Sequence, residues 1–162
     1  MINNIKQLIK WLPAVLMMCV IFAFSVQNGN ASNNTSGKMC YAVAKVTVDD
    51  FAEMPKTQQQ IIIEALQHMV RKTAHFTEYA LLGMAFLIPL WGKFKRPIFA
   101  PALAVLLSAL YACTDEAHQL IVSERSGQLT DVAIDTAGTL AGVALVCGIV
   151  WLIKKLKRKS EK

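Results

Sequence analysis

The chain has 162 residues, 54% of them hydrophobic and 17% charged, with a mean hydropathy of +0.40. That balance excludes an ordinary soluble domain, which carries more charge and fewer long apolar runs. The net charge of +6 does not point to nucleic acid, because Lys and Arg sit in short clusters between apolar segments, with no nucleic-acid-binding signature interleaved. In chain order, the first apolar run is LIKWLPAVLMMCVIFAFSV, about residues 8–26, behind Lys6 and Lys10. A basic start and the Ala23-Phe24-Ser25 stretch also fit a cleaved signal peptide. We read the run as a retained anchor, because an even number of spans places the basic loops consistently.

The segment 27–72 opens with the polar, turn-rich QNGNASNNTSGK, which reads as an exposed linker. Beyond it, Met39, Val43 and Val46 fall at helical spacing, as do Ile62 and Leu66 with Met69 or Val70. Two short helices lying on the outer membrane surface, or capping a bundle, would bury those stripes. His68, beside the second stripe, reads as a solvated histidine. Three further apolar runs follow at about 74–91, 97–114 and 132–153. Each approaches the roughly twenty residues that cross a hydrocarbon core of about 30 Å.

Lys6 and Lys10 precede the first run, Lys93, Lys95 and Arg96 join the second to the third, and Lys154, Lys155, Lys157, Arg158 and Lys159 follow the fourth. With four spans, all three clusters share one side, so both termini are expected in the cytoplasm and 27–72 and 115–131 outside. The expected architecture is all-α: one membrane domain over 1–162, about four transmembrane helices and short interfacial helices on the outer face. Cys19, Cys40, Cys113 and Cys147 are isolated, without a CxxC. Cys40 and Cys113 both have the option of lying outside, which leaves a disulfide between them open.

Charge within this apolar chain is concentrated at RKTAHFTE (71–78) and across TDEAHQLIVSERSGQLTDVAID (114–135). On a helix, Arg71, His75 and Glu78 lie within about 60° of one another. Arg71 and Lys72 can stay at the interface while His75 and Glu78 enter the outer leaflet, where they should face the bundle interior rather than lipid. Asp131, Asp135, Gly138 and Gly142 form one stripe on the last span, and GTLAG is a small-xxx-small surface that lets another helix approach, Gly83 being a second such point. Thr130 or Asp131 is expected to cap that helix, after a tight turn at Ser126-Gly127. Asp135 lies one turn deeper and needs a partner. If the third helix continues past its apolar part, Asp115, His118 and Gln119 share a face and Glu116 can pair with Gln119. The Asp-x-x-His spacing is compatible with a divalent metal held by Asp115, His118, Glu78 and Asp135, although it lacks the specificity of HExxH.

FSVQ (24–27), RKTAHFTEYALLG (71–83) and TDEAHQLIVSERSGQLTDVAIDTAGTLAG (114–142), in that order, resemble the VanZ-like family of small bacterial membrane proteins. The resemblance covers nearly the whole chain and carries over the family's polar positions as Arg71, Lys72, His75, Glu78, Tyr79, Asp115, Glu116, His118, Gln119, Arg125, Asp131 and Asp135. It implies a cell-envelope protein. The family's namesake is associated with resistance of Gram-positive bacteria to the lipoglycopeptide teicoplanin, without alteration of the peptidoglycan stem peptide.

Three functions compete. A site for an envelope amphiphile, a lipid-linked precursor or a lipoglycopeptide, would use Arg71, Lys72 and Arg125 to draw phosphate or carboxylate groups, with Tyr79, Gln119, Asp131 and Asp135 lining it. His75 or His118 would then be general acid or base, tuned by Glu78, Asp115 or Glu116. A non-enzymatic accessory protein would use the same groups only as ion pairs between helix ends, such as Arg125 with Asp131 or Arg71 with Asp115, and GTLAG to pack protomers together. A proton-coupled transporter is disfavoured, since ionisable groups at one edge alone give no relay across the membrane.

Overall fold

A computed structural model describes residues 2–25, 29–120 and 129–160, with side chains over 5–25, 37–120 and 130–160. All regular structure among them is helical: α1 (Ile2–Ile9), α2 (Leu12–Ser25), α3 (Gly29–Thr47), α4 (Lys56–Leu90), α5 (Phe99–Gln119) and α6 (Leu129–Ser160), with a 3₁₀ turn at Phe51–Glu53. The helix break at Lys10–Trp11 is followed by Pro13 in the first turn of α2, where its missing N–H costs nothing. Ala14, Ile21 and Ser25 form the buried stripe of α2, while Val15, Leu16, Phe22 and Phe24 point outward.

Three stretches are long and apolar enough to cross a membrane among the described residues: Ile5–Ser25, Phe99–Gln119 and Thr130–Ser160. The C-terminal half of α4 occupies the middle of the bundle. It packs on α6, α5 and α2 and buries Tyr79, Leu82, Gly83, Phe86, Leu87 and Leu90. A helix screened by its neighbours in this way needs less apolar surface than one facing lipid, which accounts for the polar residues it carries.

Neighbour contacts fix the helix directions. Phe22 meets His118 and Met18 meets Tyr111, so α2 and α5 run parallel. Lys72 meets Asp131 and Tyr79 meets Thr139, so α4 and α6 run parallel too. Trp11 stacks edge-on against Phe86, and α2 therefore opposes α4. Four helices thus alternate in direction along the chain.

The region 27–72 departs from the expectation of a linker and two short surface helices. The polar stretch is helical from Gly29 onward, and Gly37 lets the backbone of α3 approach Gln67 of α4 closely. The expected stripe on α3 is not its buried face: Met39 and Val46 are 73% and 86% exposed, whereas Cys40 and Ala44 are buried. The small residues win that face because they permit close approach. Asp50, at φ 54°, turns the chain in the left-handed region that Asp tolerates. Phe51 is then buried edge-on against Tyr41.

The second expected surface helix and the second span are one element, α4, of 35 residues. No proline interrupts the sequence between Pro55 and Pro89, and Arg71 and Lys72 change the solvent preference of a helix without ending it. Ile62 and Leu66 are half-buried, but Met69 and Val70 stay exposed. All four cysteines are free, so Cys40, which is buried, and Cys113, which is exposed, are not joined.

Candidate functional site

The site begins with the contact between α4 and α6. A Cβ added to Gly138 would fall on the carbonyl group of Phe76, and one added to Gly142 on that of Ala80. One added to Gly83 would come within 2.7 Å of Thr139 Cγ2. GTLAG is therefore the surface that lets another helix approach, and that helix is α4 of the same chain, not the second protomer that the accessory alternative would pack there. The Thr139 hydroxyl lies 3.2 Å from the Tyr79 carbonyl oxygen and 3.1 Å from that of Asp135, so its one proton ties either helix.

This close crossing sets the polar residues of the two helices opposite each other. Lys72 Nζ donates to Asp131 Oδ1 at 2.6 Å, with both side chains partly solvated. One turn deeper, His75 Nδ1 stands 3.6 Å from Asp135 Oδ1, just beyond hydrogen-bond reach. Asp135 is 0% exposed, and neither of its carboxylate oxygens has a hydrogen-bond partner among the described residues. Asp131 and Thr130 lie within the first turn of α6, which begins at Leu129, rather than at its cap. Asp131 is used as the partner of Lys72.

The third wall comes from α5, which continues as a helix through Gln119. Asp115, Glu116 and Gln119 are buried there. Gln119 Nε2 donates to Asp115 Oδ2 at 3.1 Å, one turn back, where the spacing suggested Glu116 as the partner. Asp115 Oδ1 and the Tyr79 hydroxyl are buried without hydrogen-bond partners among the described residues. Tyr79 is 0% exposed, its ring 6.3 Å from that of Tyr111. Tyr111 itself donates its hydroxyl to the Met18 carbonyl at 2.6 Å. His75, Glu78, Asp115 and Asp135 are near enough to interact electrostatically, so residues from all three helices share one interior.

His118 does not join that interior as a ligand partner of the acids. Its ring is tilted against Phe22 of α2, with centroids 5.1 Å apart. Of the expected set, Glu78, Asp115 and Asp135 share the interior while His118 turns to Phe22, and among the described residues no group of three or more His, Cys, Asp or Glu side chains is arranged to hold a metal ion. The physical reason is the rotation of α5 about its axis, which aims Asp115 and His118 at different neighbours. Arg71 is half-buried on α4, one residue before the Lys72 ion pair. Arg125, with Glu124 and the turn at Ser126-Gly127, lies outside the described residues.

Two buried serines were not among the candidate site residues. Ser108 and Ser25 are both buried with hydroxyls lacking hydrogen-bond partners among the described residues. Ser108 lies two helical turns before Asp115 on the same face, and a single hydroxyl in the apolar run LAVLLSALY was the available signal. Ser25 closes α2 within FSVQ.

No curated protein and no solved structure matches the chain. The VanZ/LLP1 family model matches residues 10–153, nearly the whole length and a range that contains the polar residues of the interior. The chain belongs to the VanZ-like family.

Proposed function

We propose that this chain is a four-span envelope protein, both termini cytoplasmic, whose outer-facing polar interior binds or modifies an envelope amphiphile. On that reading it lowers sensitivity to lipoglycopeptides such as teicoplanin, in keeping with its family. The observation that carries a working site is Asp135, a fully buried carboxyl group whose two oxygens lack hydrogen-bond partners among the described residues while His75 faces it at 3.6 Å. A group that only tied helices together would be expected to have its bonds made, because an unsatisfied buried polar group costs about 1–3 kcal/mol and a buried charge more. The orientation rests on the basic clusters, which by the positive-inside rule put the opposite, acidic end outside. The fourth span is the C-terminal half of α4, supported by the alternation of helix directions.

The roles follow from position. Asp135 orients the His75 imidazole from the Nδ1 side, leaving Nε2 as the atom that exchanges a proton with a bound headgroup. Glu78, Asp115 and the Tyr79 hydroxyl offer acceptors and a donor around the same interior. Lys72, with Arg71, stands at its rim to draw a phosphate or carboxylate. A non-catalytic accessory role is the second reading, favoured by the Lys72–Asp131 pair, which does join two helix ends.

The test expresses the parent, Asp135→Asn and His75→Gln at matched levels, and records teicoplanin sensitivity beside thermal stability in detergent. Variants that stay folded but lose the protective effect support the site. Loss of stability together with the effect supports the accessory reading. A parent without effect on sensitivity overturns the resistance role.

A further inference from the structure

At the end of the bundle away from the acids, the connection between α4 and α5 folds back beside α6. Trp91, Phe94, Lys95, Arg96, Pro97 and Lys154 line one concavity there. Gly92, at φ 78°, supplies the left-handed turn that brings Lys95 and Arg96 round to Lys154. Three cations from two separate segments thus surround one pocket. Neither ion pair found among the described residues involves any of them. Nearby lysines are differently engaged: Lys93 lies 5.6 Å over the Trp11 ring and Lys155 4.9 Å over that of Trp151.

The depth of this pocket is fixed by α6. Lys154 follows Asp135 by nineteen residues on one helix, a rise of roughly 28 Å, close to the thickness of a hydrocarbon core. If Asp135 sits near one interface, Lys154 sits near the other, level with lipid headgroups. The half-exposed Trp91 and Phe94 beside it are the amphipathic and aromatic residues that such an interface favours. The pocket also opens at the N-terminal end of α5, where the helix dipole adds positive potential.

We propose that Lys95, Arg96 and Lys154 form a binding site for a phosphate group, carried by an anionic lipid headgroup or free in solution. Arg96 supplies the planar fork that matches phosphate oxygens, and the lysines supply point charges. The site is independent of the polar interior at the other end and does not rest on the function proposed for it.

The full chain in a neutral detergent would be titrated with short-chain phosphatidylglycerol, short-chain phosphatidylcholine and inorganic phosphate, reading the melting temperature. The parent would be compared with Arg96→Gln/Lys154→Gln and with Lys157→Gln/Lys159→Gln, a pair outside the pocket that removes the same charge. Phosphatidylglycerol is expected to raise the melting temperature of the parent and of the second pair. The first pair should need roughly tenfold more lipid or beyond, since each charge-assisted hydrogen bond lost is worth about that factor. If inorganic phosphate acts as well as the lipid, and its effect is weakened in the first pair and kept in the second, the site stands with free phosphate as its ligand. Equal weakening in both pairs, or no difference between phosphatidylglycerol and phosphatidylcholine with no response to phosphate, overturns the proposal.

Discussion

At one end of the bundle, Asp115, Asp135 and Tyr79 are buried among α4, α5 and α6; at the other, Lys95, Arg96 and Lys154 gather around an open pocket and the last turns of α6 project as an exposed basic helix. The two ends obey different physics. Exposed lysines keep most of their hydration, so placing several together costs little and their number can be set by topology and lipid charge. A buried carboxylate has given up water, and its position is tolerable only if partners, a ligand or a proton compensate it. Substitutions at the buried end should therefore move stability strongly and in either direction, while those at the basic end should move binding and leave stability alone.

The largest effect is expected where the buried end is assembled. Gly138→Val and Gly142→Val each drive a side chain into the α4 backbone, at a cost of about 1–3 kcal/mol or more apiece, and the double variant should fail to melt cooperatively in detergent. A double variant as stable as the parent would mean that α4 and α6 are not in backbone contact. Next comes Asp135→Leu, which removes a buried acid that has no hydrogen-bond partner among the described residues. If that acid is there for function, stability should hold steady or rise, because a buried acid is unfavourable and His75 can stay neutral once it is gone. A clear fall would assign Asp135 to the scaffold. The smallest effect belongs to Lys72→Met, which breaks an ion pair whose side chains are 27% and 29% exposed. It should cost under about 1 kcal/mol, and the difference from the parent should shrink as salt is raised. A salt-independent loss would place that pair with the buried groups.

Much of the buried end was legible beforehand, and the unread part has a common cause. Helical spacing put Asp131, Asp135, Gly138 and Gly142 on one stripe and marked Gly83 as a contact point, because all of that is decided within single helices. The pairing of Lys72 with Asp131 depends on how α4 crosses α6. The turn of His118 onto Phe22, away from a metal set with Asp115, depends on the rotation of α5 against α2. Ser108 was overlooked since one hydroxyl in an apolar run acquires meaning only beside other unsatisfied groups.

The sequence by itself determined the helical class, the apolar runs, the clustering of basic residues between them and the small-residue face of the last helix. These are properties of composition and of a 3.6-residue period, which act locally along the chain. Only the tertiary structure decided that residues 56–90 form one helix with its polar turns screened at the bundle centre. It alone laid GTLAG against the α4 backbone, set His75 opposite the buried Asp135, and folded 91–98 back to Lys154. Those outcomes require the relative azimuth and crossing of separate helices, and no spacing within one helix contains that information.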